Sequence, residues 1–200
     1  MRIGRLALGL TLAASLTASV WAAPNWRTLS DAPRNVDGAG LDKSRPVYIH
    51  ESKGDVEISL PDDNWAVNKA GQMGADKEFF NEELGARLGA WAGDSLKDKQ
   101  PRNIVNEWVN GLKGVTGGNW TTPKSITLGG VPVVQATGVD AFGNYYYRIV
   151  SYTRFGVTYA FALRSDYSQR WNRELSGTIA ELVTGSHISS HGYHKKTMYH

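Results

Sequence analysis

Between Ser125 and Val183 apolar runs alternate with short glycine-bearing turns. ITL, VPVVQATGVD, NYYYRIVSYTR and VTYAFALRS are dense in β-branched and aromatic residues, and Gly-Gly, Phe-Gly-Asn and Phe-Gly separate them. That alternation predicts an antiparallel meander. A closing helix follows, capped near Asp166 or Ser168, with Trp171, Leu175, Ile179 and Leu182 on one side and Gly185 as its stop. Upstream, VYIHES and VEISLP flank Lys53-Gly54-Asp55 and read as a hairpin, in which Val56, Ile58 and Leu60 alternate with polar residues. Pro61-Asp62-Asp63-Asn64 turns the chain, and Trp65 and Val67 return to the core.

The middle reads as helical. Asp76 suits an N-cap, Glu78, Glu82 and Glu83 suit the first turns, and Phe80, Leu84, Leu88 and Trp91 fall at helical spacing. Gly85, Gly89 and Gly93 recur every four residues along it, as on a face that another element approaches closely. A second helix begins near Asn103, carries Ile104, Val105, Trp108, Val109 and Leu112, and ends at Gly114. The expected fold is α+β: an antiparallel sheet of about six strands, with the meander at its C-terminal end, sandwiched between α-helices.

Strand alternation divides the meander into two faces. Tyr145, Tyr147 and Ile149 point one way, while Tyr146, Arg148, Val150, Tyr152 and Arg154 point the other. Tyr147 and Ile149 are read as sharing the core face with Phe161 and Leu163; Ala160 and Ala162 are read as joining the second face. That second face is either the seat of a covering helix or the surface that meets a partner. Interleaved aromatics and arginines are common at interfaces, so Tyr146, Arg148, Tyr152 and Arg154 are the candidate partner-binding residues.

The first 22 residues have a basic start (Arg2, Arg5), an apolar run (Leu6 to Leu16) and a Val20-Trp21-Ala22 end, the three parts of a secretory signal. The apolar run is short for a bilayer of about 30 Å, which asks for about 20 apolar residues. The expected organisation is a signal at 1–22, an extended lead segment at 23–45 onto which Trp26 and Leu29 dock, one domain at 46–184, and a disordered His-containing tail at 185–200. The expected location is periplasmic or secreted, with no membrane span after signal cleavage. Loss of Arg2 and Arg5 leaves 20 basic against 19 acidic residues. Near-neutral charge argues against nucleic acid as the partner. The chain has no Cys, which excludes disulfides, thiolate chemistry and Cys-based metal sites.

No G-x-S-x-G, H-E-x-x-H, P-loop or dinucleotide fingerprint occurs. Catalytic residues, metal ligands and cofactors are all read as none. An alternative is a hydrolase or metal-assisted enzyme with a loop-built site near His50, Asp62 and Asp63. His187, His191, His194 and His200 have chelating spacing only in a helical tail, which Gly185, Gly192 and the serines oppose.

The order of elements resembles the PsbP-like superfamily, which includes the photosystem PsbP subunit, the Ran-release factor and bacterial DcrB-like proteins. The likeness runs from Pro46 to Val183. It is carried by VEISLPDDNW, GVPVVQATGVD and NYYYRIVSYTRFGVTYAFALRS. The resemblance implies a helix-flanked antiparallel sheet and a non-enzymatic adaptor, assembly or chaperone-like role. The expected partner, read from the signal, the absent catalytic motifs and the small-residue and aromatic sheet faces, is another protein or a hydrophobic segment in the cell envelope.

Overall fold

The computed structural model describes residues 24–30, 41–43, 45–52, 54–60, 62–69, 71–97, 99–166 and 171–188. The expected signal, most of the lead segment and the tail beyond 188 lie outside them. Three α-helices are described, α1 (Trp26–Ser30), α2 (Pro101–Thr116) and α3 (Trp171–Gly185), with a 3-10 turn at Gly93–Leu96. The strands are β1 (Leu41–Asp42), β2 (Val47–Ile49), β3 (Val56–Ile58), β4 (Trp65–Asn68), β5 (Lys77–Asn81), β6 (Ala86–Ala92), β7 (Asn119–Trp120), β8 (Lys124–Leu128), β9 (Val131–Val139), β10 (Tyr145–Arg154), β11 (Val157–Asp166) and β12 (His187–Ile188). Among the described residues no helix is long and apolar enough to cross a membrane.

Nine strands form an antiparallel main sheet in the order β1-β4-β5-β6-β11-β10-β9-β7, with β8 also paired to β9. A second sheet has the order β12-β3-β2. The α+β class holds, and the expected hairpin, meander, second helix and closing helix are all present. The count of about six strands is corrected to nine plus three. The covering layers also differ from a purely helical sandwich. One face of the main sheet carries α1 and α2, through a cluster that includes Leu29, Trp91, Ile104, Trp108, Leu112, Tyr147 and Ala162. The other carries α3 together with the small sheet, through Leu175, Ile179, Leu182, Val47, Val56, Val150, Tyr152 and Phe161. Both faces are therefore covered.

The largest correction concerns residues 77–92, which form the paired strands β5 and β6 rather than a helix. All seven residues of β6 are buried, because it lies between β5 and β11 with a layer on each face. Burial on both faces erases the period-2 signal, and the remaining apolar positions match helical spacing by coincidence. Asp76 is not a helix cap: its Oδ2 accepts from the Ala92 N–H at 2.9 Å and the Ser95 hydroxyl at 2.6 Å. Gly89 makes room for the Trp91 ring, which a Cβ there would meet at 2.5 Å.

The face assignment of the meander is corrected too. β10 and β11 join through the two-residue turn Phe155-Gly156, so Arg154 pairs with Val157, Val150 with Phe161 and Ile149 with Ala162. Such a turn sets even-numbered residues opposite odd-numbered ones. Phe161 and Leu163 therefore lie with Val150 and Tyr152 under α3, and Ala160 and Ala162 lie with Tyr147 and Ile149 under α2.

Helix α2 follows from its sequence. Pro101 opens it at a position where the missing N–H costs nothing, and Gly117 closes it in the left-handed region at φ 63°. The cap is Gln100 rather than Asn103. Trp108 anchors it to the sheet, 4.6 Å from the Trp91 ring, and Trp26 of α1 meets Trp108 edge-on at 5.4 Å. The expected docking of Trp26 and Leu29 is thus observed, and Leu29 is fully buried.

Candidate functional site

The candidate row runs along β10, and the sheet uses most of it. Tyr146 is half-buried against the α3-side core. Arg148 is buried, and its Nε and Nη2 donate to the Gln135 side-chain oxygen on β9 at 3.0 and 2.6 Å. Burial without a carboxylate partner lowers the pKa of Arg148. Tyr152 is buried and stacks on Tyr159 across the hairpin, with ring centroids 4.9 Å apart and planes 6° from parallel. Burial, reinforced by Tyr159, pushes the Tyr152 phenol far up, and burial pushes Tyr159 up to about 12.

Arg154 ends the row. Its Nη1 donates to the carbonyls of Thr184 at 2.7 Å and Val183 at 3.4 Å. Those carbonyls belong to the last turn of α3, where a cation also opposes the helix dipole. The row therefore seats and caps α3. Arg154 is still half-exposed, and its guanidinium carbon stands 5.0 Å from the centroid of the Phe155 ring.

Phe155 had no place in the sequence reading beyond its turn. It is 68% exposed, and its φ of 51°, followed by 75° at Gly156, makes the primed hairpin turn that suits the strand twist. A bulky residue rarely sits there, since its Cβ crowds the following carbonyl. Asn or Gly would form the same turn at lower cost. The signal available in the sequence was an aromatic immediately before the glycine of a two-residue turn. Phe142, in the β9–β10 turn, is 85% exposed.

The alternative site does not assemble through any observed contact. His50 is exposed and its Nδ1 lies 2.9 Å from Asp55 Oδ1. Asp62 Oδ1 accepts the Asn64 N–H at 2.8 Å, its carbonyl accepts from Arg45 Nη2, and Asp63 lies 3.8 Å from that same nitrogen. Arg45 also lines a shallow cleft of about 370 Å³ with Val47, Glu57 and Leu60. Among the described residues no three His, Asp or Glu come together as a metal site. His187 lies in β12, where its Nδ1 is 2.7 Å from the Gly185 carbonyl; His191, His194 and His200 lie outside the described residues.

A group of carboxylates that sequence order conceals ties the small sheet to the main one. Glu51 follows β2 and its Oε2 accepts the Asp94 N–H at 2.5 Å. Asp94 in turn accepts the Ser52 N–H at 2.8 Å and the Ser52 hydroxyl at 2.7 Å. Partial burial pushes the Glu51 carboxyl up to about 7; the Asp94 hydrogen bond opposes this, and the charges of Asp94 and Asp76 add to it. Burial likewise raises Asp76, against its bonds from Ser95 and Ala92.

No family model matches the chain, and no curated protein matches it. Solved structures do. The chain is similar to cyanobacterial PsbP (CyanoP) from Synechocystis sp. PCC 6803, with a TM-score of 0.49 and 13% identity over 78% of this chain and 96% of that one. It is similar to LpqN, involved in cell envelope biogenesis of Mycobacterium tuberculosis, with a TM-score of 0.42 and 16% identity over 72% of this chain and 91% of that one. The Saccharomyces cerevisiae Ran-binding protein Mog1p gives a TM-score of 0.38 and 10% identity over 72% and 95% of the two chains.

Proposed function

We propose that this chain is an extracytoplasmic, non-enzymatic protein-binding domain that docks its partner at the Arg154 end of β10. The observation that carries the reading is Phe155. A large apolar ring faces water at a position where its backbone conformation costs stability, and the side chain beside it is a cation. Strain retained at an exposed tip is the pattern of a contact residue rather than a packing residue. Aromatic and arginine anchors are also enriched at the centres of protein interfaces. In this reading Arg154 and Phe155 touch the partner. Tyr146, Arg148 and Tyr152 hold the strand from which they project. The extracytoplasmic location rests on the three-part pattern of residues 1–22.

Site-specific photo-crosslinking tests the docking surface. A crosslinker at position 155 is expected to trap one discrete partner in envelope extract, and one at exposed Lys124 is expected not to. Arg154→Ala, with the crosslinker kept at 155, should reduce the yield several-fold. Equal yields at 155 and 124, or turnover of an ester or glycan library by the purified protein, would refute the proposal.

A further inference from the structure

Two arginines stand side by side inside the main sheet. Arg164 on β11 is directly opposite Arg87 on β6; Arg164 is 0% and Arg87 5% exposed. Directly opposed residues of an antiparallel pair share one face with their Cβ atoms about 5 Å apart, and like charges so placed repel. The face is the one covered by α1 and α2: Arg87 Nη1 donates to the Thr28 carbonyl of α1 at 3.0 Å, and Tyr147 stands opposite Arg164 across β10.

Arg164 lies over the Tyr145 ring, its guanidinium carbon 3.6 Å from the centroid. Contact with a ring face leaves the in-plane N–H donors to be matched by acceptors. Here Nε, Nη1 and Nη2 are all buried and none has a hydrogen-bond partner of good geometry; the Tyr147 phenol is the polar group drawn toward them. Among the described residues no nearby carboxylate pairs with Arg164: Asp140, whose charge is felt at Tyr147, accepts the Tyr145 N–H at 2.8 Å. Glu78 takes bonds from Asn68 Nδ2 at 3.2 Å and from the N–H groups of Gln72 at 2.7 Å and Met73 at 3.3 Å. Asp166 extends over Gly85, where an added Cβ would meet its Oδ2 at 2.5 Å.

We propose that Arg164, with Arg87 beside it, binds a small oxyanion of the carboxylate or phosphate class. The guanidinium fork matches two oxygens of such a group, and burial strengthens the attraction by excluding water. Tyr145 and Tyr147 wall the site. Burial raises the Tyr147 phenol against the pull of the Arg164 charge, so the phenol stays neutral beside an anion. The site lies one residue in from the ends of the strands, where Tyr145 is half-buried and Asp166 exposed. The end of the sheet is thus the nearest approach to Arg164 from solvent, far along β10 from Phe155.

The test uses the full-length protein at constant ionic strength, with sodium phosphate or sodium acetate replacing sodium chloride. Thermal melting and titration calorimetry are expected to show saturable, single-site binding of at least one oxyanion, with a change in the near-ultraviolet tyrosine signal. Saturation by phosphate alone assigns a phosphate group, and saturation by acetate alone a carboxylate. Arg164→Lys, which keeps the charge and loses the fork, should weaken binding tenfold or more. Absence of saturable binding by both anions to the wild-type protein overturns the proposal whatever the variant does. Unchanged affinity in a folded Arg164→Lys protein overturns it as well.

Discussion

Replacing Glu51 by Gln should make the protein more stable at neutral and alkaline pH while leaving it unchanged in acid. Glu51 is half-buried between the small sheet and the turn after β6, with Asp94 and Asp76 adding negative charge nearby. Its pKa rises from 4.5 to about 7 in the folded chain, so the folded state holds this proton more tightly than the unfolded state. Stability is full below the unfolded value, falls as pH climbs through the interval, and reaches its floor above the folded value. At about 1.4 kcal/mol per pH unit the whole interval corresponds to about 3 kcal/mol for a fully buried group. Glu51 keeps contact with water, and screening reduces this to about 1–2 kcal/mol. Glutamine keeps an oxygen for the Asp94 N–H and never ionises. Urea denaturation of both proteins at pH 3.5, 6 and 8 should show coincident curves at the lowest pH. By pH 8 the variant should lead by about 1–2 kcal/mol. A difference independent of pH, or a variant less stable at pH 8, would refute the assignment of a strained carboxyl at this contact.

Phe155→Asn should stabilise the fold by about 0.5–1 kcal/mol in urea titration, because Asn adopts the left-handed turn position readily, while removing the proposed docking contact; a destabilised variant would count against backbone strain at this tip. Spectrophotometric titration of the folded protein should show Tyr152 and Tyr159 still neutral at pH 11, since burial holds Tyr159 at about 12 and Tyr152 higher. Stability should accordingly fall as pH rises from about 10, the unfolded phenol value, through 12, and a full tyrosine titration below pH 11 would contradict the stacked, buried pair.

Local chemistry made much of this fold legible. Glycine turns delimit β8 to β11, and the amphipathic spacing of Ile104 to Leu112 and of Leu175 to Leu182 marks α2 and α3. What failed was long-range. Nothing local in ARLGAWA says that β6 will be flanked on both edges and both faces, and without that knowledge its apolar spacing favours a helix. The two-face assignment of the meander turned on whether the β10–β11 turn held two residues or three, which alternation alone does not settle. The candidate row was legible as unusual, but the partners of Arg148 and Arg154 are Gln135 and the end of α3. Arg87 and Arg164 each interrupt an apolar strand at an inward position, a signal that was visible. Their adjacency depends on strands from opposite halves of the chain.

That adjacency of β6 and β11 also orders events in time. The N-terminal strands β4, β5 and β6 are synthesised first, yet the edge of β6 is completed only by β11, after α2 and the strands β7 to β10 have been made. The small sheet repeats the arrangement, since β3 waits for β12. Until then the chain presents an open, apolar strand edge, the feature that invites pairing with a wrong partner. A nascent chain of this topology has no finished core in this domain before β11 and α3 emerge, so its sheets close late rather than strand by strand.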